Sequence, residues 1–375
     1  MRAVVVMAVM SRAAGFVAPS RRALALARRA PSVRPLSTAA DGADVEAPAA
    51  SPAPAAAAGP ASVEPPQSFD QCIRQCTTSI EAALDAGFDL LEVEFPPLST
   101  EALEDGAVDA YTISKENIKL ACAVGEALRG GRRGLGKVAL MLPDKAELDR
   151  AVEDEGTDEP SPGITIHNLR EDLLASAESP ADVVLGLFGV NREARVKPVE
   201  GAELYICLVF SAQELPDLES LRKLEQAAGR KPAPIIAFNL KLDTLRADLG
   251  FPAFPPKDLQ WRFLSRFLPV YYLRTRGYSR TISKPPFVVN YNGALFRAYP
   301  GPYATYLDQG AGRLRRVAED ERRIALGEFK DKLTASLKLD EDEGETEAFL
   351  RRGYQRMTWW EEDKDREEKS DDWRR

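Results

Sequence analysis

Three nearly continuous apolar runs constrain this chain more than any other feature: ADVVLGLFG at 181–189, AELYICLVF at 202–210 and APIIAFNL at 233–240. A strand with one wet face alternates apolar and polar residues, whereas an unbroken run suits a strand covered on both faces. Between the second and third runs, DLESLRKLEQAAGR at 217–230 has helical spacing. Doubly buried strands alternating with helices predict βαβ units. The expected fold class is therefore α/β: a mostly parallel sheet flanked by helices in a Rossmann-like three-layer arrangement.

The flanking stretches extend this reading. SFDQCIRQCTTSIEAALDAGF opens with Ser68 as N-cap and Gln71 three residues on, carries a stripe of Cys72, Cys76, Ile80, Ala83 and Leu84, and stops at Gly87. DLLEVEFPP places Leu91, Val93 and Phe95 on one face and Glu92 and Glu94 on the other, the pattern of a half-buried strand ended by Pro96 and Pro97. A helix fits Thr112 to Leu128, KVALMLPD is a second strand, and ITIHNL is a short third. KDLQWRFLSRFLPVYYLRTRG at 257–277 reads as an amphipathic helix running into a strand. FVVNYNGALFRAYPGPYATYL at 287–307 then reads as a C-terminal antiparallel meander. Asn292-Gly293 supplies a two-residue hairpin turn and Pro300-Gly301 a type II turn. RLRRVAEDERRIALGEFKDKLTASLKL, from Arg313, reads as a charged helix, and DEDEGETE at 340–347 leads into a charged tail containing Trp359 and Trp360.

Charge separates the N-terminus from the body. The 375 residues hold 50 Lys and Arg against 58 Asp and Glu, a net −8. Residues 1–40 contain seven Arg and no acid, so residues 41–375 carry −15. Phosphate contacts need clustered Lys and Arg, so a body this acidic is not that of a general nucleic-acid binder. MRAVVVMAVM has a signal-like layout. AAGFVAPS supplies a Phe at a junction, and RRALALARRAPSVRPLSTAA is Arg-, Ala- and Ser-rich. Together they resemble a bipartite plastid presequence at 1–40, with delivery to the stroma of a secondary plastid; a mitochondrial presequence is the competing reading. An Ala/Pro spacer at 41–66 reads as disordered, a domain is expected over 67–310, and a charged helical extension with an acidic tail over 311–375. No run approaches the ~18 apolar residues of a membrane-spanning helix. Peripheral thylakoid association remains open.

Chemistry-bearing motifs are sparse. GRRGLGKV at 131–138 fits G-x-x-x-x-G-K, but a phosphate loop follows a strand and opens a helix. Here a helix precedes and a strand follows, so the segment reads as a basic turn. Cys72 and Cys76, spaced i,i+4, read as core rather than as metal ligands, and the one histidine is His167. No catalytic, cofactor-binding or metal-ligating residue is assigned, and no cofactor is expected. What remains is a polar rim at strand ends: Glu92, Glu94, Asp144, Asn239 and Arg274, with Arg297 and Tyr299 on the meander. In open parallel sheets ligands bind at those ends, and ordinary strand termini are polar there too. Arg297 has the further reading of an arginine whose stem packs over aromatics at a sheet edge.

PPQSFDQCIRQCTTSIEAALDAGFDLLEVEFPPL, MLPDKAEL, IIAFN and GALFRAYPGPYATYL, in this order, resemble the DUF1995 family of plants, algae and cyanobacteria. The resemblance covers about Pro65 to Leu307. It implies a plastid location and an α/β domain, and it supplies no catalytic residues. One plant member is a soluble stromal factor in photosystem II assembly. The expectation that follows is a binding protein rather than an enzyme, with photosystem II subunits or assembly factors as partners. The alternative is a ligand-binding or enzymatic α/β domain for a nucleotide or phosphorylated metabolite.

Overall fold

A computed structural model describes residues 63–99, 102–103, 108–170, 196, 198–209, 223–225, 233–242, 263–282 and 285–339. Helix α1 spans Phe69–Asp85, strand β1 Leu90–Glu94, α2 Ala110–Gly130, β2 Val138–Leu142, α3 Lys145–Glu155 and β3 Ile164–Asn168. Then come β4 Leu204–Cys207, β5 Ile235–Phe238, a 3-10 turn Leu264–Arg266, β6 Leu268–Thr281, β7 Val288–Ala298, β8 Tyr303–Asp308, β9 Leu314–Asp320 and α4 Leu326–Ser336. The presequence, most of the spacer, the 181–189 run, most of the 217–230 helix, the tail and both Trp359 and Trp360 lie outside the described residues.

Among the described residues one nine-stranded sheet runs β3-β2-β4-β5-β1-β6-β7-β8-β9. Pairing is parallel from β3 through β6 and antiparallel from β6 to β9. The fold is thus mixed α/β, with the parallel part first and an antiparallel meander after it, as the apolar runs predict. On one face α1, α2 and α3 pack Cys76, Ile80, Ala121, Val124 and Ala151 onto Leu91, Val93, Leu140, Ile206 and Ile236. On the other face Phe263, Leu264 and Phe267 cover Leu90, Met141, Tyr205 and Ala237. Still on that face, α4 presses Phe329 and Leu333 onto Tyr272, Tyr291, Leu295 and Tyr303.

Local rules account for the helix ends. The Ser68 hydroxyl accepts from Gln71 N–H, while the Gln71 amide oxygen accepts from Gln67 N–H, one residue earlier than a reciprocal box would place it. α1 closes with Gly87 at φ +87° and the paired bonds Phe88 N–H to Ala83 O and Gly87 N–H to Leu84 O, a Schellman end. Asp144 caps α3 through Glu147 N–H. Cys72 and Cys76 are free thiols in the core under α1. Burial pushes the Cys72 thiol up to about 11, partly opposed by a hydrogen bond with Tyr271.

Five expectations are corrected. β1 is buried on both faces rather than half-buried, because α1 covers its apolar side and the C-terminal elements cover the side carrying Glu92 and Glu94. Asn292-Gly293 is no turn: β7 runs straight through it, paired with Gly277 and Arg276 of β6. Glycine is required there for close approach, since an added Cβ would lie 2.5 Å from Leu333 Cδ1 and 2.8 Å from Tyr306 O. Pro300-Gly301 is not a type II turn, because Tyr299–Pro300 is cis and Gly301 N–H bonds Ala298 O at an ordinary φ. The meander strand carrying Arg297 is no edge, for β6 and β8 flank it. Finally, Leu314–Asp320 is a strand and not the start of a charged helix; β8 supplies its ladder partner, and the helix is confined to Leu326–Ser336. Val63–Pro66, the end of the segment read as spacer, is also described; Pro65 is buried, and Gln75 Nε2 donates to Glu64 O.

Candidate functional site

The rim residues fall into three separate groups. Strand alternation puts Leu90, Glu92 and Glu94 of β1 on the face opposite α1–α3. There they divide the apolar cluster under Phe263 and Phe267 from the one under α4. Glu92 is 1% exposed and accepts from Arg323 Nη1 at 3.1 Å, and the Arg323 guanidinium lies over the Tyr272 ring at 4.5 Å. Glu94 accepts from Arg274 Nη1 at 3.4 Å and from Lys241 N–H at 3.1 Å. Two carboxylates out of water thus meet two guanidiniums and a backbone donor, the condition under which buried charge is tolerated.

Asn239 belongs to this group and closes it. It sits at φ +55° just past β5, a conformation asparagine adopts more readily than most residues. Its Oδ1 accepts from Phe95 N–H at 2.8 Å, its Nδ2 donates to Asn117 Oδ1 of α2 at 2.7 Å, and its own N–H reaches Val93 O at 2.8 Å. The junction of β5 and β1 is where an open α/β sheet usually offers a ligand crevice. Here one side chain stitches β1, β5 and α2 together across it.

Asp144 lies elsewhere. β4 and β5 separate β2 from β1, about 14 Å at ~4.8 Å per strand. Asp144 caps α3 and pairs with Arg170 Nη2 at 3.6 Å. Nearby on β3, the His167 ring meets Thr165 Oγ1 at 2.8 Å; burial, and then the Lys137 charge, lower its pKa. The third group is Arg297 with Tyr299. Arg297 Nε donates to Gly301 O at 3.2 Å and Nη1 to Tyr303 OH at 3.0 Å. Its guanidinium sits 4.6 Å from the Tyr303 ring centroid and 5.5 Å from that of Tyr299. Arg297 therefore clamps the β7–β8 turn, and Tyr299 packs edge-on against Phe88.

Arg323 and Lys241 are the members that sequence reading missed. Arg323 was hidden in the charge run ERRIALGEF, whose signal is an arginine directly before apolar Ile324. A carboxylate between β1 positions that pack inward was itself the sign that a cation must arrive from elsewhere. The GRRGLGKV turn is pinned by bonds of its own: Arg132 and Arg133 pair with Glu81 and Asp85, and Lys137 Nζ donates to Glu200 O.

Residues 66–331 match the family described as DUF1995, a domain of unknown function. The chain belongs to the DUF1995 family. The match to DUF1995 reaches past the meander through β9 and most of α4, so the element delivering Arg323 lies within it. No curated protein and no solved structure matched the chain. Among the described residues, no helix of this DUF1995 protein is long and apolar enough to cross a membrane.

Proposed function

We propose that this protein acts by binding other proteins in the plastid stroma, in the assembly or accumulation of photosystem II. One observation carries the reading. The polar residues at the ends of β1 and β5 hold the fold's own elements together: Glu92 with Arg323, Glu94 with Arg274, and Asn239 with Phe95 and Asn117. That leaves the outer surfaces as the means of contact with other molecules. The plastid-like presequence and the resemblance to a family with a photosystem assembly factor support the compartment and the process. Deleting the gene should lower photosystem II content while sparing unrelated stromal enzymes. Normal photosystem II levels in the deletion strain, or recovery of the mature protein with mitochondria, would sink the proposal.

A second reading has its own support. Glu92, Glu94, Arg274 and Arg323 gather charge beside the carboxyl end of β1, and the carboxyl ends of parallel strands are where α/β sheets hold nucleotides and phosphorylated metabolites. On that reading such a ligand raises the melting temperature of the purified protein; a screen of nucleotides and sugar phosphates that leaves it unmoved counts against it.

A further inference from the structure

The domain holds the chain just before its first helix. Val63–Pro66 precede α1, and Pro65 is buried. Gln75 Nε2 of α1 donates to Glu64 O at 3.1 Å, and Gln67 Nε2 donates to Pro65 O at 3.4 Å. The Glu64 side chain reaches a distant part of the sheet. Its Oε2 accepts from Tyr306 OH of β8 at 3.4 Å, across 242 residues of chain, and its Oε1 lies 3.8 Å from Arg316 Nη2 of β9. Tyr306 is buried in the core; burial, and then the Glu64 charge, push its hydroxyl up to about 12, so it stays a donor. The Arg316 pair is exposed to water and contributes little. The buried proline and the bonds from Gln75 and Tyr306 make a strap between α1 and β8. Tolerance to cutting follows the burial and hydrogen bonding of the backbone concerned. By that measure the strap belongs to the folded domain, although it lies before the Gln67 at which the sequence reading starts it.

The sequence sets the other limit. Residues 1–40 hold seven Arg and no acid, the composition of an address segment, and acids begin at Asp41, Asp44 and Glu46. A peptidase that removes the address must therefore cut beyond the basic segment and short of the strap. We propose that the mature protein starts between Asp41 and Val63, cleaved within the Ala/Pro spacer so that Val63–Pro66 stays with the domain. The step is peptide hydrolysis: one C–N bond breaks, and water supplies the hydroxyl of the new carboxyl group and a hydrogen to the new amine. The inference rests on reading residues 1–40 as an address, and it holds alike for a plastid and a mitochondrial one.

The test is N-terminal sequencing of the protein purified from isolated organelles. A first residue from 41 to 63 is expected; a first residue at or before 40, or at 64 or later, overturns the proposal. Recovery from mitochondria would sink the plastid reading while leaving this start unchanged, so the two failures are told apart. The strap itself is tested on the full chain by Glu64→Gly combined with Pro65→Gly, which removes the carboxylate and the buried ring. The melting temperature should fall by about 2–4 °C or more, whereas Pro52→Gly combined with Pro54→Gly in the spacer leaves it unchanged. Equal melting temperatures in the two variants would overturn the strap, and with it the reason for the limit at Val63.

Discussion

The parallel and antiparallel halves of the sheet solve burial in opposite ways. In the parallel half, strands such as Leu204–Cys207 and Ile235–Phe238 are apolar on both faces, so any helix that covers them stabilises them. In the antiparallel half, one face of β6 and β7 presents Tyr272, Arg274, Arg276, Tyr278 and Arg280 opposite Arg297, Leu295, Gly293, Tyr291 and Val289. Such a face tolerates cover only if each cation finds its partner. The lesson is one of specificity. The parallel strands ask of their cover mainly apolar volume, whereas α4 and the loop before it meet the sheet through particular contacts, Arg323 on Glu92 of β1 and Leu333 against Gly293 of β7.

Four substitutions break or sharpen that contrast. The largest effect is expected from Arg323→Ala, which removes the cation 3.1 Å from the buried Glu92 carboxylate. Equilibrium denaturation should show a loss of about 3–5 kcal/mol, and adding Glu92→Gln should recover much of it because the uncompensated charge is gone. Equal losses in the single and double variants would mean that Arg323 acts by packing over Tyr272 and not by charge. In the parallel half Ile236→Ala should cost about 2–5 kcal/mol by leaving a cavity, with no partner substitution able to restore it.

Next is Gly293→Ala. The added methyl meets both Leu333 and the Tyr306 carbonyl, so a loss of about 1–3 kcal/mol is expected. Leu333→Ala relieves it only in part, because the carbonyl cannot withdraw; full relief would show that the backbone there is free to shift. Asn239→Ala, where β5 meets β1, removes the acceptor for Phe95 N–H and the donor to Asn117. About 1–3 kcal/mol is expected from thermal or chemical unfolding.

The smallest effect concerns pH. Burial lifts Cys72 from its ordinary value near 9 to about 11 and Cys122 to about 12, so the folded state holds protons that the unfolded chain releases. Their contribution to stability is complete below about pH 9 and falls as pH rises through the folded values. Stability curves at pH 8 and 10 should differ in that direction, and alkylation of these thiols at pH 8 should be slow until the protein unfolds.

The parallel half was legible in sequence because unbroken apolar runs admit few structures. Its helix ends were legible too, since Ser68, Gly87 and Asp144 act through bonds to their own neighbours. The antiparallel half misled because its glycine and prolines carry tertiary meaning. Gly293 is small for the sake of Leu333, forty residues on, and Pro300 takes the third place of its turn rather than the second. The site was half visible for the same reason. Glu92, Glu94 and Asn239 lie in or just past short strands that periodicity locates; Arg274, expected at a strand end, sits midway along β6, and Arg323 arrives from a charge run that looks solvated. Asp144 and Arg297 read as members of that rim, but the strand order sets Asp144 apart and the β7–β8 turn engages Arg297.

The pairing of Glu92 with Arg323 spans 231 residues of chain. A ribosome adding roughly 5–20 residues per second delivers the second partner on the order of 10–50 s after the first. During that interval Glu92 is without its Arg323 partner. The same wait recurs whenever the chain is threaded N-terminus first through a pore. A copy that ends before residue 323 lacks this pair, and faster cleavage by protease than in the full chain is the expected outcome. The pair thereby distinguishes chains that reach residue 323 from chains that do not.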